Sequence, residues 1–192
     1  MEPGGRVFAD LVRALAPYLG DVVFVGGWVH ALYLLEAEGV SARTVRTYDI
    51  DVSIPRSLAR GDRPPLIELI RAARFEVSAF DEASGLLEIQ RDSVPLDLLT
   101  EAPDPREPIA ILGQGDLKVQ GYPHQDLLRQ NTRSMLVGVE VDESLNEPVP
   151  ILVPTLSAYG LGKLLSSASR NMRSKRAKDL AYLVELLRRL RR

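Results

Sequence analysis

Apolar and polar residues follow two different periods over the first part of the chain. Apolar side chains recur at helical spacing over residues 8–19, although Pro17 should end that helix early. Residues 22–25 form a short apolar run of mostly β-branched side chains, which predicts a buried strand. This run stops at Gly26-Gly27, and residues 28–38 then have the pattern of a second helix. The chain is therefore expected to begin with a helix, a strand and a helix.

A second group of strands is predicted downstream. Residues 49–54 (DIDVSI) alternate polar and apolar side chains with period two, as a strand does. Pro64-Pro65 suits the first turn of a helix that extends to about Arg74. Three strand-like runs follow, at residues 75–80, 86–90 and 94–99.

The remainder of the chain divides at an acidic, proline-rich loop, residues 101–108. Beyond it the pattern is least regular, with strand-like pieces and a short helix predicted at 109–112, 134–141 and 125–130. Two longer helices are predicted at residues 154–168 and 175–190. We expect an α/β (α+β) fold in which a mixed sheet is flanked by helices. Residues 1–108 would form the core, and residues 109–192, mainly helical from 154, would complete a cleft on it.

Composition narrows the class of protein. The chain is 45% hydrophobic and 26% charged, which is ordinary for a globular protein and excludes a disordered or fibrous one. Cysteine is absent, which excludes disulfides, thiolate metal sites and a cysteine nucleophile and suits a cytoplasmic location. Two histidines are too few for a zinc site built on several of them. The longest apolar runs fall well short of the about 18 residues that span a membrane, so no membrane partner is expected.

Charge is distributed unevenly along the chain. Residues 170–192 hold nine Lys/Arg and two acidic side chains, a net charge of +7, whereas the other 169 residues carry −9. A basic segment on an acidic body suits a polyanionic partner such as RNA or a nucleotide. Charge alone favours the alternative, a solvated helix whose basic last turn complements the helix dipole.

Asp49 and Asp51 are the first candidates for chemistry. At positions i and i+2 of a strand their carboxylates project from the same face, with Cα atoms about 6.6 Å apart. Two such carboxylates repel each other unless a cation lies between them, and oxygen ligands favour Mg²⁺. The alternative is a strand that carries two acids on its solvent-exposed face.

Asp97 and the glycine pair extend this pattern. Asp97 lies in an apolar strand, where a carboxylate needs a partner such as a metal, an arginine or a neighbouring loop. Glu88, one strand earlier, is a weaker candidate for the same role. Gly26-Gly27, between strand and helix, lets the backbone approach a phosphate or simply forms a tight turn. Together the three features describe a two-metal phosphoryl-transfer site.

Three segments carry a resemblance to the DNA polymerase β-like nucleotidyltransferase superfamily: Val25-Gly26-Gly27-Trp28, residues 46–52 with Asp49 and Asp51, and Leu96-Asp97-Leu98-Leu99. That superfamily has a glycine turn, an Asp-x-Asp on the next strand and a third aspartate on a later strand. Near the C-terminal end, Lys163 follows Pro154 on one predicted helix, and Lys178-Asp179 lies on the next. This arrangement resembles, more narrowly, the AbiEii/MenT-type nucleotidyltransferases of bacterial toxin–antitoxin systems.

The resemblance implies a role for each matching residue. Asp49 and Asp51 would bind two Mg²⁺ ions, and Asp97, the third carboxylate and metal ligand, would activate the acceptor hydroxyl. Gly26 and Gly27 would hold the phosphates of a nucleoside triphosphate.

Three residues near the C-terminal end have roles by the same resemblance. Lys163 would neutralise the triphosphate, and Asp179 would orient either Lys163 or the nucleotide-binding Arg176. Otherwise Lys163 is a surface lysine of an amphipathic helix, and Asp179 makes a local pair with Lys175 or Arg176. Trp28, Tyr33 and His30 are expected to be packing residues.

The resemblance therefore implies a Mg²⁺-dependent transfer of a nucleoside monophosphate from a nucleoside triphosphate to an acceptor hydroxyl. An RNA end, in particular the 3′ end of tRNA, is the expected acceptor, in a toxin-like protein with a cognate antitoxin as partner. Two alternatives stay open: a small-molecule or protein hydroxyl as acceptor, and an inactive nucleotidyltransferase fold that serves as a binding module.

Overall fold

The computed structural model describes residues 3–38, 49–81, 86–102, 109–111, 117–169 and 173–189. The helices of these segments are α1 (Pro3–Ala14), α2 (Gly26–Glu38), α3 (Leu66–Ala72), α4 (Gln125–Gln130), α5 (Leu156–Ser169) and α6 (Arg173–Arg189), with a short 3-10 helix at Ala16–Tyr18. The strands are β1 (Val23–Val25), β2 (Ile50–Ser53), β3 (Glu76–Asp81), β4 (Leu86–Arg91), β5 (Val94–Glu101), β6 (Ile109–Ile111), β7 (Lys118–Tyr122), β8 (Thr132–Val137) and β9 (Val149–Pro154).

The described strands form one mixed sheet in the order β3-β4-β5-β2-β1-β9-β8, with β7 paired to β5 and β6. Strand β1 runs antiparallel to β2 and parallel to β9, and β2 runs parallel to β5. The expected fold class, a mixed sheet flanked by helices, is confirmed. Strands β7 and β9 join the sheet of the front part of the chain, so residues from both sides of position 108 build it. The division into two regions at that position stays a prediction.

Most predicted elements agree with the structure to within a few residues. The first helix ends at Ala14, well before residue 19, because Pro17 is accommodated in the 3-10 turn that follows. Strands β7 and β9 were not predicted. The first is short and polar (KVQGY), and the second contains two prolines (VPILVP), which weaken the signal of a strand. The strand expected at 134–141 begins at Thr132 and ends before Gly138.

The main hydrophobic core lies on the face of the sheet that α1 and α2 cover. Phe8 of α1 stacks on Trp28 of α2 at 4.2 Å between ring centroids and packs against Phe24 of β1 at 5.2 Å. Trp28 and Tyr33 are 4% and 3% exposed, which confirms that both are packing residues. Burying each of these aromatic side chains contributes about 1.5–3 kcal/mol to the stability of the fold.

A second, smaller apolar cluster lies on the opposite face. It consists of Val23, Val25 and Leu99, with Leu128 of α4 and Leu152 packed against them. Because side chains alternate along a strand, residues two positions from these share their face. The candidate carboxylates are therefore on the side of the sheet away from the main core.

No helix within the described segments is both long and apolar enough to cross a membrane.

Candidate active site

Strand register brings the three aspartates together. Val25 at the end of β1 is the partner of Asp51 on β2, and Asp51 is in turn the partner of Asp97 on β5. Asp49 directly precedes β2 and lies two residues from Asp51. All three residues line one cleft of about 210 Å³ between the sheet and helices α4, α5 and α6.

Seven further residues with a polar side chain line the cleft, and none of them was predicted as a site residue: Tyr122, Gln125, Tyr159, Ser166, Lys175, Lys178 and Tyr182. The sequence analysis named Lys175 only as a local partner of Asp179 and Lys178 only as part of the resemblance. Gly26, Gly27, Lys163 and Asp179, which were predicted as site residues, also line it. Arg176 is exposed on α6 and is not among the lining residues, so its nucleotide-binding role stays a prediction.

Helical spacing from the predicted site residues would have identified most of the cleft side chains that the sequence analysis missed. Lys175, Lys178 and Tyr182 lie at positions i, i+3 and i+7 of α6, on the face that carries Asp179. Tyr159 lies one turn before Lys163 on α5. Tyr122 and Gln125 have no such signal, because β7 and α4 are short and their placement depends on strand pairing.

Gly26 is fixed by the carboxylate that lies against it. Its φ of +70° is a conformation that residues with a Cβ rarely adopt. A Cβ on Gly26 would lie 1.8 Å from Asp51 Oδ2 and 2.6 Å from its Cγ. The first turn of α2 therefore runs directly beneath the Asp51 carboxylate, with no room for a side chain.

Asp51 and Asp97 hold their protons more tightly than ordinary aspartates do. Burial, followed by the charges of Asp49 and Asp97, raises the pKa of Asp51 to about 7, and Lys163 and Lys178 counteract part of this effect. The walls of the cleft partly desolvate Asp97 even though its side chain lies at the exposed rim, and this raises its pKa together with the charge of Asp49. Such a cluster is destabilising when it is ionised without a cation.

Helices α5 and α6 bring positive charge to the cleft. Lys163 Nζ lies 3.1 Å from Asp179 Oδ1, and the Asp179 side chain is only 3% exposed. Of the two partners that the resemblance implied for Asp179, the structure therefore pairs it with Lys163. Lys175 and Lys178 also line the cleft. Three ammonium groups thus border the aspartates.

The donor set fits a hard divalent cation. No group of three His, Cys, Asp or Glu side chains in the described segments forms a preassembled metal cluster. Mg²⁺, however, keeps several waters and is held by one or two carboxylates together with substrate phosphates. Asp49 and Asp51 would hold it, because a cation between them relieves the repulsion that raises the Asp51 pKa.

His30 is a packing residue, as predicted. It is 1% exposed, stacks on Tyr182 at 4.2 Å between ring centroids, and lies with its Nε2 2.9 Å from Glu185 Oε2. The contact joins α2 to α6 across the back of the cleft.

The raised pKa values predict how stability depends on pH. Asp51 holds its proton up to about pH 7 in the folded state, whereas an unfolded aspartate loses it near pH 3.8. Between these values the folded state binds more protons, so the free energy of unfolding of the metal-free protein should fall as pH rises from about 4 to about 7. Mg²⁺ competes with that proton, and it should raise the melting temperature more at pH 8 than at pH 6.

Melting curves at fixed ionic strength, with and without Mg²⁺, measure both effects. Metal-free stability that rises steadily over this pH range would show that the aspartates do not repel one another as described.

Comparison with known proteins adds two findings. A family model described as Nucleotidyltransferase matches residues 6–192. The fold resembles the crystal structure of an antigenic nucleotidyltransferase-like protein from Paracoccidioides brasiliensis, with a TM-score of 0.54 and 16% sequence identity, over 97% of this chain and 77% of the other. A comparison with curated proteins gave no match.

Proposed function

Because the chain belongs to the nucleotidyltransferase family, we propose that it transfers a nucleoside monophosphate from a nucleoside triphosphate to an acceptor hydroxyl in a Mg²⁺-dependent reaction. The observation that carries the proposal is the cleft in which Asp49, Asp51 and Asp97 lie together beneath the lysines of α5 and α6. Carboxylates suit metal ions and a general base, and ammonium groups suit a polyphosphate.

Each side chain has a part in the reaction. Asp49 and Asp51, with Asp97 beside them, hold the metal ions. Two Mg²⁺ ions bound there would lower the pKa of the acceptor hydroxyl and neutralise the charge on the leaving pyrophosphate. Gly26 and Gly27 offer a backbone without side chains against which the phosphates can lie. Lys163 attracts the triphosphate as a point charge.

Asp97 is the general base of this proposal. The acceptor oxygen forms a bond to the α-phosphorus, the bond from that phosphorus to the bridging oxygen breaks, and pyrophosphate leaves with the bonding electrons. The hydroxyl proton passes to the Asp97 carboxylate. A raised pKa supports this role, because the carboxylate accepts a proton more readily than an ordinary aspartate does.

For the acceptor we propose an RNA, in particular the 3′ end of tRNA. The exposed basic residues of α6 support this choice, since they provide a surface for a phosphate backbone: Arg173, Lys175, Arg176, Lys178 and Arg188. The Lys163–Asp179 pair supports the AbiEii/MenT-type resemblance, and with it a cytoplasmic toxin-like protein that has a cognate antitoxin.

The first test is a transfer assay with Mg²⁺, each labelled nucleoside triphosphate in turn and total bacterial RNA. Wild-type protein should label an RNA band of tRNA size, and Asp49→Ala should reduce labelling by about 10²-fold or more, because an electrostatic element of the site is lost. A cooperative melting transition at or above the wild-type melting temperature, measured without Mg²⁺, would show that the variant is folded.

The same assay separates the alternatives. Acceptor binding that weakens steeply with salt indicates a nucleic acid, whereas a flat response indicates a small molecule or a protein hydroxyl. Full activity in Asp49→Ala would refute the proposed site. No nucleotide-induced rise in melting temperature, with Mg²⁺ present, would indicate an inactive binding module.

A further inference from the structure

The Lys163 ammonium group is enclosed on three sides. Besides Asp179 Oδ1 at 3.1 Å, the faces of two tyrosine rings border it, with Nζ 5.6 Å from the Tyr159 centroid and 5.5 Å from the Tyr182 centroid. Its side chain is 14% exposed, although lysine side chains normally lie in solvent. Each ring attracts the cation through its quadrupole.

Tyr182 is itself held in place by a stacked histidine ring. His30 stacks on its ring nearly parallel, at an angle of 15°, and the same imidazole contacts Glu185, one turn further along α6. His30 lies about one helical turn beyond Gly26 on α2. The stack therefore fastens α6, which carries Asp179 and Tyr182, onto the helix that begins beneath the Asp51 carboxylate.

The enclosure leaves the lysine able to bind a further anion. An ammonium group has three N–H donors, and Asp179 Oδ1 takes one of them. Lys163 lies close enough to Asp51 for its charge to lower the pKa of that carboxyl. The ammonium group is thus immobilised in the cleft, close to the aspartates.

We propose that Tyr182, backed by His30, is a positioning residue that fixes the Lys163 ammonium group for the triphosphate of the incoming nucleotide. This inference rests on the proposed function. A lysine has a long flexible stem, and holding it in one place before the nucleotide binds removes the entropy cost of ordering it in the complex. Tyr159 borders the same ammonium group from α5, and the tilted Tyr33 ring supports it at 6.4 Å.

The test compares Tyr182→Leu with Tyr182→Phe. Leucine removes the ring, and kcat/KM for the nucleotide should fall about threefold to thirtyfold, the range that corresponds to a partly desolvated cation–π contact. Phenylalanine keeps the ring and loses only the hydroxyl contact with Lys178, so Tyr182→Phe should retain most of the wild-type kcat/KM. A rise in KM with little change in kcat is expected if Lys163 holds ground state and transition state alike.

A double-mutant cycle separates positioning from general packing. The background variant is Lys163→Met with Asp179→Asn, which removes both charges together and leaves no buried charge unpaired. If Tyr182 acts through Lys163, then Tyr182→Leu should lower kcat/KM no further in this background. An equal additional loss in both backgrounds would overturn the inference.

A measurement that does not depend on activity completes the test. The proton resonances of the Lys163 ε-methylene group should show ring-current shifts in the wild-type protein and in Tyr182→Phe, and lose much of the shift in Tyr182→Leu. Unshifted resonances in the wild type would overturn the enclosure itself. Shifted resonances in a protein that transfers no nucleotide would leave the enclosure standing and refute the proposed function instead.

Discussion

Asp51→Asn is expected to reduce nucleotide transfer by about 10³-fold while it makes the metal-free protein more stable at pH 8. The loss follows because the variant retains the shape of the side chain but lacks the charge that would hold the cation in the proposed site. The gain follows because Asp51, whose pKa is about 7, is ionised at pH 8 only at a cost in folding free energy. A substitution that lowers activity and raises stability identifies a residue whose functional charge destabilises the folded state.

The stability gain should itself depend on pH. At pH 4 the folded-state carboxyl is protonated and resembles the amide, so the two proteins should melt at similar temperatures. At pH 8 the variant should be more stable by at least about 1 kcal/mol, or about 2–4 °C for a chain of this size. Melting curves at both pH values, together with the transfer assay, measure the two effects.

Asp92→Asn is the matched control. Asp92 lies in the turn between β4 and β5 with its side chain 62% exposed, so the same substitution there should change neither activity nor the pH dependence of stability. If Asp51→Asn retained normal transfer, Asp51 would not be a metal ligand. If it destabilised the metal-free protein at pH 8, the carboxylate cluster would not be under the strain described.

Gly26→Ala is expected to inactivate the protein about 10²-fold or more and to destabilise it by more than strain alone would. A methyl group there would overlap the Asp51 carboxylate, which lies 1.8 Å away at Oδ2 and 3.0 Å away at Cβ. Rotating the Asp51 side chain would relieve the contact with Oδ2 only by taking the carboxylate out of its position in the cleft. The Asp51 Cβ does not move on rotation, so β2 must also shift by a few tenths of an ångström. A displacement of about 1 Å at a reacting centre can cost 10²-fold in rate.

Gly61→Ala separates the two causes. Gly61 also has a positive φ, +56°, but a Cβ there would meet nothing within 4 Å. The Gly61→Ala variant should lose about 1–2 kcal/mol of unfolding free energy, the cost of a left-handed residue with a Cβ, and it should keep its full activity. Transfer rates and unfolding free energies of the two variants provide the comparison. Equal losses of stability, with activity intact in both, would mean that Gly26 serves only the backbone turn.

The local pattern of the sequence was sufficient for most of the elements, though not for β7 and β9, and for the main catalytic candidates. Period two over residues 49–54 identified β2 and placed Asp49 and Asp51 on one face, and Asp97 stood out as a charge among apolar neighbours. A helix that begins at Gly26 agrees with the glycine turn that the sequence indicated. These features depend on residues near one another in the chain, so their spacing alone reveals them.

Lys163 and Asp179 mark the boundary of what the sequence could predict. They lie 16 residues apart on two helices, and the sequence left open whether Asp179 pairs with Lys163, with Arg176 or with a neighbour on its own helix. The packing of α5 against α6 brought Lys163 to it, because the buried Asp179 carboxylate requires a cation and the Lys163 ammonium group lies 3.1 Å from it.

The sequence by itself determined which residues are the candidates for the chemistry of this protein: a glycine turn and three aspartates from their neighbours in the chain, and a lysine from the family resemblance. Only the tertiary structure decided how they act on one another. The pairing of β2 with β5 set Asp97 opposite Asp51, where burial and the charges of Asp49 and Asp97 raise the Asp51 pKa, and the stacking of His30 on Tyr182 joined α2 to α6 around Lys163. Strand register and helix packing depend on contacts between distant residues, and these contacts have no signature in local spacing.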